Sequence, residues 1–321
     1  MKKTITLIAA FVSVNLSAQI SSKFYGNVEE IKQLKERVLV VETLEEDTKI
    51  ITKLSKKKDD SKLIEYKQKI AEINEKLKEY VLKDWTLNKK IEFKTTTEIE
   101  ALRLKKVTDY ALLRYFELGD AHNFEKTRAG QMYVPALAYT RLEAKLVQPD
   151  TKFYIPESFE SKDKNYDDYS YKLSMNLFQK HINWIIENNK VEYLYDYCEA
   201  EAVKNCEKLK SKKLFVKSGI MFKGRTEDQA KENYGGNIEF VSDNIINDAY
   251  LNKTKNTAIL FEFPYATLGG IVTRYVYCKV IIDCETKEIL WTNNPGRTAF
   301  GKNINYDIAE FEFKNMANCK M

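Results

Sequence analysis

The sequence predicts an α+β protein made of two related units, each an antiparallel-rich sheet covered by helices. Residues 91–116 and 238–263 carry this prediction, because the two segments align without a gap at a fixed offset of 147 residues. A unit that recurs at a fixed spacing indicates a repeated piece of supersecondary structure. The identical pairs are Ile91/Ile238, Glu92/Glu239, Phe93/Phe240, Ile99/Ile246, Leu104/Leu251, Lys106/Lys253, Ala111/Ala258, Leu113/Leu260 and Phe116/Phe263.

The first unit is predicted over residues 19–147. Asn27 begins a short helix, and Glu30, three residues later, completes its capping box. The apolar run Val38–Val41 follows as a buried strand, and Glu45–Asp47 marks a loop.

A long helix is predicted from about Asp60, because apolar residues recur at steps of three and four and therefore share one face. This stripe consists of Leu63, Tyr66, Ile70, Ile73, Leu77 and Tyr80. The remaining positions are mostly Lys and Glu. We therefore expect the helix to pack on the first sheet and to expose its other side to solvent.

Each copy of the repeat is predicted to form a strand, a helix and a second strand. Thr95 with Glu98 makes a capping box in the first copy, and Ser242 takes the place of Thr95 in the second. A further long strand is predicted after each copy, over 133–146 and 273–282. Together these elements give each unit one sheet.

A linker is predicted over 148–170, where Pro, Asp, Ser and Lys are frequent. The second unit, residues 171–321, opens with two helices over 171–188 and 192–210. Both present apolar residues at helical spacing, so we expect them to cover the second sheet. A short helix is predicted from about residue 306 to residue 316.

The first 18 residues have the pattern of a secretory signal peptide. Lys2 and Lys3 precede the apolar run Ile5–Val14, which is too short to span a bilayer, and Ser17-Ala18 offers a cleavage site before Gln19. An uncleaved anchor is disfavoured by the same length. No later stretch reaches the roughly 18 apolar residues of a membrane helix, so no membrane span is expected.

Charge is nearly balanced, with 52 Lys and Arg against 47 Asp and Glu and a formal net charge of +5. A nucleic-acid-binding protein concentrates basic residues on one face, so this class is disfavoured. The densest basic cluster, Lys53–Lys58, is followed at once by Asp59 and Asp60. A solvated helix entry explains this cluster better than a phosphate-binding site.

The five cysteines are Cys198, Cys206, Cys278, Cys284 and Cys319. An exported chain can form disulfides, but an odd count leaves one thiol unpaired. Eight helical residues separate Cys198 from Cys206, about 12 Å of rise, which is too far for a bridge. A bridge between Cys278 and Cys284, or from one of them to Cys319, remains open, as does a role as small buried hydrophobes.

The sequence predicts no catalytic, cofactor-binding or metal-binding residue. His122 lies in a predicted loop, and His181 is expected to be a packed or surface residue of a helix. No zinc, calcium, thioredoxin, nucleotide or nucleophile motif is present. Glu92 and Glu239 recur in the repeat, and we interpret them as the outward positions of alternating strands.

Two segments are candidate contact surfaces. Tyr275, Tyr277 and Lys279 share one face of a predicted strand and could contact a partner or a glycan. Alternatively, they form a second core layer beneath a helix. The segment 163–168 combines Asp and Tyr and could bind a cation or a sugar, or act as a mobile linker.

The run Leu16-Ser17-Ala18-Gln19 and the Lys-, Asn-, Ile- and Tyr-rich composition resemble secreted proteins of Bacteroidota, of the flavobacterial type. Residues 238–282 are similar to an uncharacterised secreted or periplasmic family among them. Many such proteins carry a C-terminal β-rich export domain, and residues 313–316 instead lie in a predicted helix. The resemblance therefore implies a periplasmic resident.

These features predict a non-catalytic periplasmic or extracellular binding or accessory protein without cofactor. Its partner would be an envelope protein, such as a component of an outer-membrane assembly or export complex. One alternative is an envelope hydrolase that uses Asp and Glu, which would need two carboxylates about 5–10 Å apart. Another is a small-ligand carrier with an apolar pocket between sheet and helices.

Overall fold

The computed structural model describes residues 27–57, 60–118, 139–146, 152–155, 168–192, 194–221, 224–269, 272–293 and 308–320. In these ranges the protein is a mixed α/β structure with two sheets, as the α+β prediction required in its general form.

The elements before residue 160 are α1 (Val28–Glu36), β1 (Val38–Thr43), α2 (Thr48–Lys56), α3 (Asp60–Asp84), β2 (Ile91–Thr95), α4 (Thr96–Leu104), β3 (Tyr110–Leu118), β4 (Tyr139–Leu146) and β5 (Lys152–Ile155). The capping boxes predicted for α1 and α4 are confirmed, since Asn27 pairs with Glu30 and Thr95 with Glu98. Helix α2 was not predicted. Strand β5 lies inside the predicted linker, so the first sheet continues past residue 147.

The later elements are α5 (Asp168–Asn188), α6 (Leu194–Asn205), a 3₁₀ helix (Cys206–Ser211), β6 (Lys213–Lys217), α7 (Glu227–Tyr234), β7 (Ile238–Val241), α8 (Asp243–Leu251), β8 (Thr257–Gly269), β9 (Val272–Asp283), β10 (Ile289–Thr292) and α9 (Glu310–Ala317). Ser242 is the N-cap of α8 as predicted, but its side chain makes no capping hydrogen bond. The hydroxyl is therefore not what caps this helix.

The two sheets have the same strand order. The first is β2-β1-β3-β4-β5 and the second is β7-β6-β8-β9-β10. In each, the first strand of the unit pairs in parallel with two neighbours, and the remaining pairs are antiparallel. Leu39 lies opposite Ile91 and Ala111, and Leu214 lies opposite Ile238 and Ala258. The sheets are thus mixed rather than largely antiparallel.

The first sheet packs one face against α1, α3 and α5. This core includes Leu39, Val41 and Leu113 of the sheet, with Leu77 of α3 and Phe178 of α5. On the opposite face, Val40 and Leu112 contact Ile99 of α4 in a small cluster.

The second sheet has a large core on each face. One face packs against α5, α6 and α8, and includes Phe261 and Val280. The other packs against α7, α9 and the 3₁₀ helix, and includes Leu260, Trp291 and Phe313. Residues 278–283 of β9 are buried on both faces, so for Lys279 the alternative of a second core layer beneath a helix is correct, and that helix is α9.

Helix α5 contributes to both sheets. Phe178 and Ile182 belong to the core of the first sheet, whereas Leu173 and Leu177 belong to that of the second. The helix had been expected to cover the second sheet alone. Because α5 packs into both cores, it does not by itself mark where one unit ends and the next begins. The predicted boundary at residue 171 therefore stays a prediction.

Candidate functional site

Helix α2 and its C-cap carry four lysines and no acidic residue. Asp47 is its N-cap and accepts a hydrogen bond from the Lys49 backbone N–H at 2.7 Å. Ile51 and Leu54 are half-buried, and α2 packs against α3. None of the residues of α2 is buried. The side of α2 that carries Ile51 and Leu54 is therefore its packed side, and the rest of its surface is exposed to solvent.

The first half of α3 and helix α2 together form what we call the arm (residues 44–72). One pair of hydrogen bonds joins its base to the second half of α3, and two further contacts hold its own parts together. Asn74 exchanges two hydrogen bonds with the Leu44 backbone, at 2.7 and 2.9 Å. The Asp47 backbone N–H donates to the Tyr66 hydroxyl at 2.8 Å, and Lys67 pairs with Glu46 at 3.3 Å. These contacts orient the arm.

An open groove of about 530 Å³ runs along the exposed side of α2. Its lining residues are Thr48, Lys49, Thr52, Lys53, Lys56 and Lys57. The Thr52 hydroxyl donates to the Thr48 carbonyl at 2.7 Å, so it is engaged within the helix. The four ammonium groups therefore determine what the groove attracts, and that is an anion.

A structural role accounts for only part of this lysine face. Lysines near a helix C-terminus are favourable with the helix dipole, by about 0.3–1 kcal/mol each. That argument covers Lys53, Lys56 and Lys57 in α2. It does not cover Lys49, which lies in the first turn, where a positive charge is unfavourable.

The histidine that the structure describes is structural. His181 is buried, its Nε2 lies 3.0 Å from the Glu192 carbonyl oxygen, and its ring stacks on Tyr197 at 5.8 Å. Burial lowers the pKa of His181 to about 4. The packed-residue interpretation therefore holds. His122 lies outside the described residues.

The described thiols are also structural. Cys198, Cys278 and Cys284 are free and buried, and burial raises the pKa of Cys278 and of Cys284 to about 12. Cys206 forms a disulfide with Cys319. None of the bridges left open by the sequence forms, because the partner of Cys319 is set by the docking of α9 beside the 3₁₀ helix.

A buried ion pair lies beneath α9. The Lys279 ammonium donates to both oxygens of Glu312, at 3.0 and 2.9 Å, and both side chains are almost fully buried. Glu312 also accepts from the Ala309 backbone N–H at 2.9 Å. Glu262 lies opposite Lys279 in the β8–β9 register and is 6% exposed. Lys279 therefore belongs to the second core layer and not to an exposed face.

Another partly buried lysine, Lys287, lies at the turn between β9 and β10. The Lys287 ammonium lies 3.3 Å from the centre of the Tyr250 ring and donates to the Tyr250 carbonyl. Burial lowers its pKa to about 8. Lys180 donates to the Lys287 carbonyl at 2.7 Å, so these lysines fasten the turn to α5 and α8.

The repeated glutamates form ion pairs on their strands. Glu92 pairs with Lys90 at 2.6 Å and with Lys94 at 3.0 Å, and hydrogen bonding to Lys90 lowers its pKa. Glu239 pairs with Lys213. The side chains of Tyr275 and Tyr277 and residues 163–167 lie outside the described part of the chain.

The described residues contain no group of three or more His, Cys, Asp or Glu side chains that could hold a metal ion. Over the same ranges, no helix combines the length and apolarity needed to cross a bilayer. No protein-family model, curated protein or solved structure is similar enough to the chain to count as a match. Functional arguments therefore rest on the residues themselves.

Sequence analysis missed the main feature of this surface. The lysines were assigned to the entry of the long helix, whereas they belong to a separate helix that ends before it. The available signal was Asp47, a preferred N-cap residue, followed by Ile51 and Leu54 at helical spacing.

Proposed function

We propose that the protein is a non-catalytic binding or accessory protein of the periplasm, whose arm docks onto an envelope partner. The observation that carries this proposal is the lysine-lined groove of α2, on a helix that buries no residue of its own. Its orientation is fixed by the contacts at the base of the arm. A charged, oriented and unburied helix is suited to contact another molecule.

The two units are, in this proposal, copies of one ancestral unit. Support comes from the shared strand order and from Ile91/Ile238 and Ala111/Ala258, which occupy the same register positions in the two sheets. Against this common plan, the arm is an addition to the first copy. Because the arm is not needed to connect the strands of the sheet, we propose that it serves a specific function.

The alternatives have weaker support. A hydrolase would need two accessible carboxylates, whereas Glu312 and Glu262 lie in the core layer beneath α9. A small-ligand carrier would need an enclosed pocket between sheet and helices, whereas the described groove is open to solvent and lies along α2 alone. The groove of α2 therefore supports neither the hydrolase nor the small-ligand carrier.

The test is purification of the tagged chain from envelopes of the native host in mild detergent, followed by mass spectrometry. The wild type is compared with a variant carrying Lys49→Gln, Lys53→Gln, Lys56→Gln and Lys57→Gln. A stoichiometric partner that disappears in the variant is the expected result. A wild-type protein that recovers neither a protein nor a lipid from envelopes would remove the basis of the proposal.

A further inference from the structure

The lysine face of α2 carries a more specific implication, which rests on the proposed function because it names what the arm contacts. We infer that the arm binds the anionic headgroups of a lipid bilayer, through four lysines along α2 and two exposed isoleucines, one on each helix of the arm. The body of the protein would then be held at a membrane surface without a membrane-spanning segment.

The first argument is the arrangement of charge. At 1.5 Å per residue, Lys49 and Lys57 are about 12 Å apart along the helix axis. All four lysines are exposed, and none forms an ion pair with a described residue. Residues 48–57 contain no acidic residue. Acidic residues flank this stretch at Glu45–Asp47 and at Asp59 and Asp60, so the positive charge is confined to the lysine face of α2. An extended array of ammonium groups matches a surface that carries many phosphates, because each lysine can meet a separate headgroup.

The second argument is the type of residue. Lysine is depleted at the centre of protein–protein interfaces, whereas basic clusters on an amphipathic helix are typical of binding to anionic lipid. Helix α2 contains no arginine, the residue whose planar fork suits directional recognition of a carboxylate. The face therefore favours a diffuse anionic surface over an acidic segment of a protein.

The third argument is the exposed apolar surface of the same arm. Ile50 in α2 is 39% exposed, and Ile64 in α3 is 57% exposed. Basic side chains accompanied by exposed apolar ones are the combination that interfacial helices use. Because Ile51 and Leu54 already pack against α3, the apolar face of α2 is not free to insert deeply. The attachment would be shallow, and salt should weaken it.

The experiment measures sedimentation of the full chain with lipid vesicles. One set of vesicles is pure phosphatidylcholine, and the other contains phosphatidylcholine and phosphatidylglycerol in equal amounts. The wild type should bind the anionic vesicles and should release them at about 0.5 M salt, where screening is strong. Each Lys→Gln substitution in α2 should weaken binding about fivefold, so the fourfold variant should not sediment.

The matched control removes four other exposed lysines and so makes the same change in net charge: Lys83→Gln, Lys89→Gln, Lys105→Gln and Lys106→Gln. This control should bind within about twofold of the wild type. The pair Ile50→Ser and Ile64→Ser should weaken binding about tenfold at unchanged charge. Circular dichroism verifies that each variant is folded.

Three results would overturn the inference: equal binding to both vesicle types, no binding to either, or equal losses in the control and the α2 variant. If vesicle binding fails in one of these ways while the α2 variant still loses a protein partner from envelopes, the partner is an acidic protein. In that case the proposed function stands and the lipid inference does not. If the variant loses neither, both are wrong.

Discussion

The two connections between parallel strands differ in size and in packing. In the first unit, residues 44–90 connect β1 to β2 through α2 and α3; in the second, residues 218–237 connect β6 to β7 through α7 alone. Helix α7 buries Ala230 and Tyr234 against the second sheet and α9, whereas α2 buries nothing. One packed helix is therefore enough to connect two parallel strands of such a sheet. The first connection contains an additional helix, α2, that this comparison does not explain by folding.

Helix α7 packs on α9, and α9 carries the buried carboxylate of Glu312. The largest expected difference in the free energy of unfolding is therefore between a substitution in α9 and one in the arm. Glu312→Ala leaves the buried ammonium of Lys279 without its carboxylate and should lower the free energy of unfolding by about 3–5 kcal/mol. Glu46→Ala, which removes the exposed pair with Lys67 in the arm, should lower it by less than about 1 kcal/mol. Urea unfolding of both variants measures the two costs.

The control for this prediction is the double variant Lys279→Met with Glu312→Leu. Replacing both members of the pair by apolar side chains should recover part of the loss, because no ammonium group stays buried without Glu312. Recovery should be incomplete, since buried Glu262 lies opposite position 279. Similar costs for Glu312→Ala and Glu46→Ala would mean that the layer formed by α9, on which α7 packs, is no better buried than the arm, and the comparison would fail.

One tyrosine in each connection offers a matched test of packing. Tyr234 in α7 is 6% exposed, whereas Tyr66 in the arm is half-buried and accepts a hydrogen bond from the Asp47 backbone. Tyr234→Ala should cost about 3–5 kcal/mol, in the range of a buried aromatic residue. Tyr66→Ala should cost about 1 kcal/mol. Thermal unfolding of the two variants gives the comparison, and a reversed order would contradict it.

Acid should act on the body of the protein rather than on the arm. Because the pKa of buried His181 is lowered to about 4, the folded state binds its proton less readily than the unfolded state, whose pKa is about 6.5. The stabilisation is complete above pH 6.5 and is lost as the pH falls from 6.5 towards 4. The expected loss is about 3 kcal/mol.

Urea unfolding between pH 7 and pH 4 tests this dependence, with His181→Phe as the control. The control keeps a ring beside Tyr197 and has no titrating group, so its slope with pH should be shallower over this range. An unchanged slope would show that His181 is not the group responsible.

Helix caps give the smallest effect and compare Thr95 with Ser242, which align at the offset of 147 residues. Thr95→Ala removes a side chain that accepts from the Glu98 backbone N–H, and should cost about 1 kcal/mol. Ser242→Ala occupies the same place in the second copy but removes no capping hydrogen bond, so its cost should be close to zero. Equal costs in denaturant unfolding would contradict the difference seen at these caps.

Local signals made much of the fold predictable. Asn27 with Glu30 and Thr95 with Glu98 are short-range pairs, and they marked helix starts correctly. The paired strands that contain Ile91 and Ile238 were recognisable because their sequences resemble each other. Such features depend on residues a few positions apart, so the chain itself carries the information.

Features that depend on distant contacts were not predictable. The alternation of Lys279 with apolar residues left open an exposed face or a second core layer, and the sequence did not show that α9 covers this face and supplies Glu312. The bridge from Cys206 to Cys319 joins residues 113 positions apart, and only the docking of α9 brings them together. Helix α2 escaped recognition because lysines interrupt its short apolar run, which falls in the same few residues as the predicted loop.

The central claim is that the arm is a contact surface and that the equivalent connection in the second unit is not. Site-specific photo-crosslinking in envelopes tests it directly, with the crosslinking residue placed at Thr52 in α2 or at Glu232 in α7, both of which are exposed. We expect crosslinks to lipid or to a protein partner from position 52 and none from position 232. Equal crosslinking at both positions, or none at position 52, would contradict the claim.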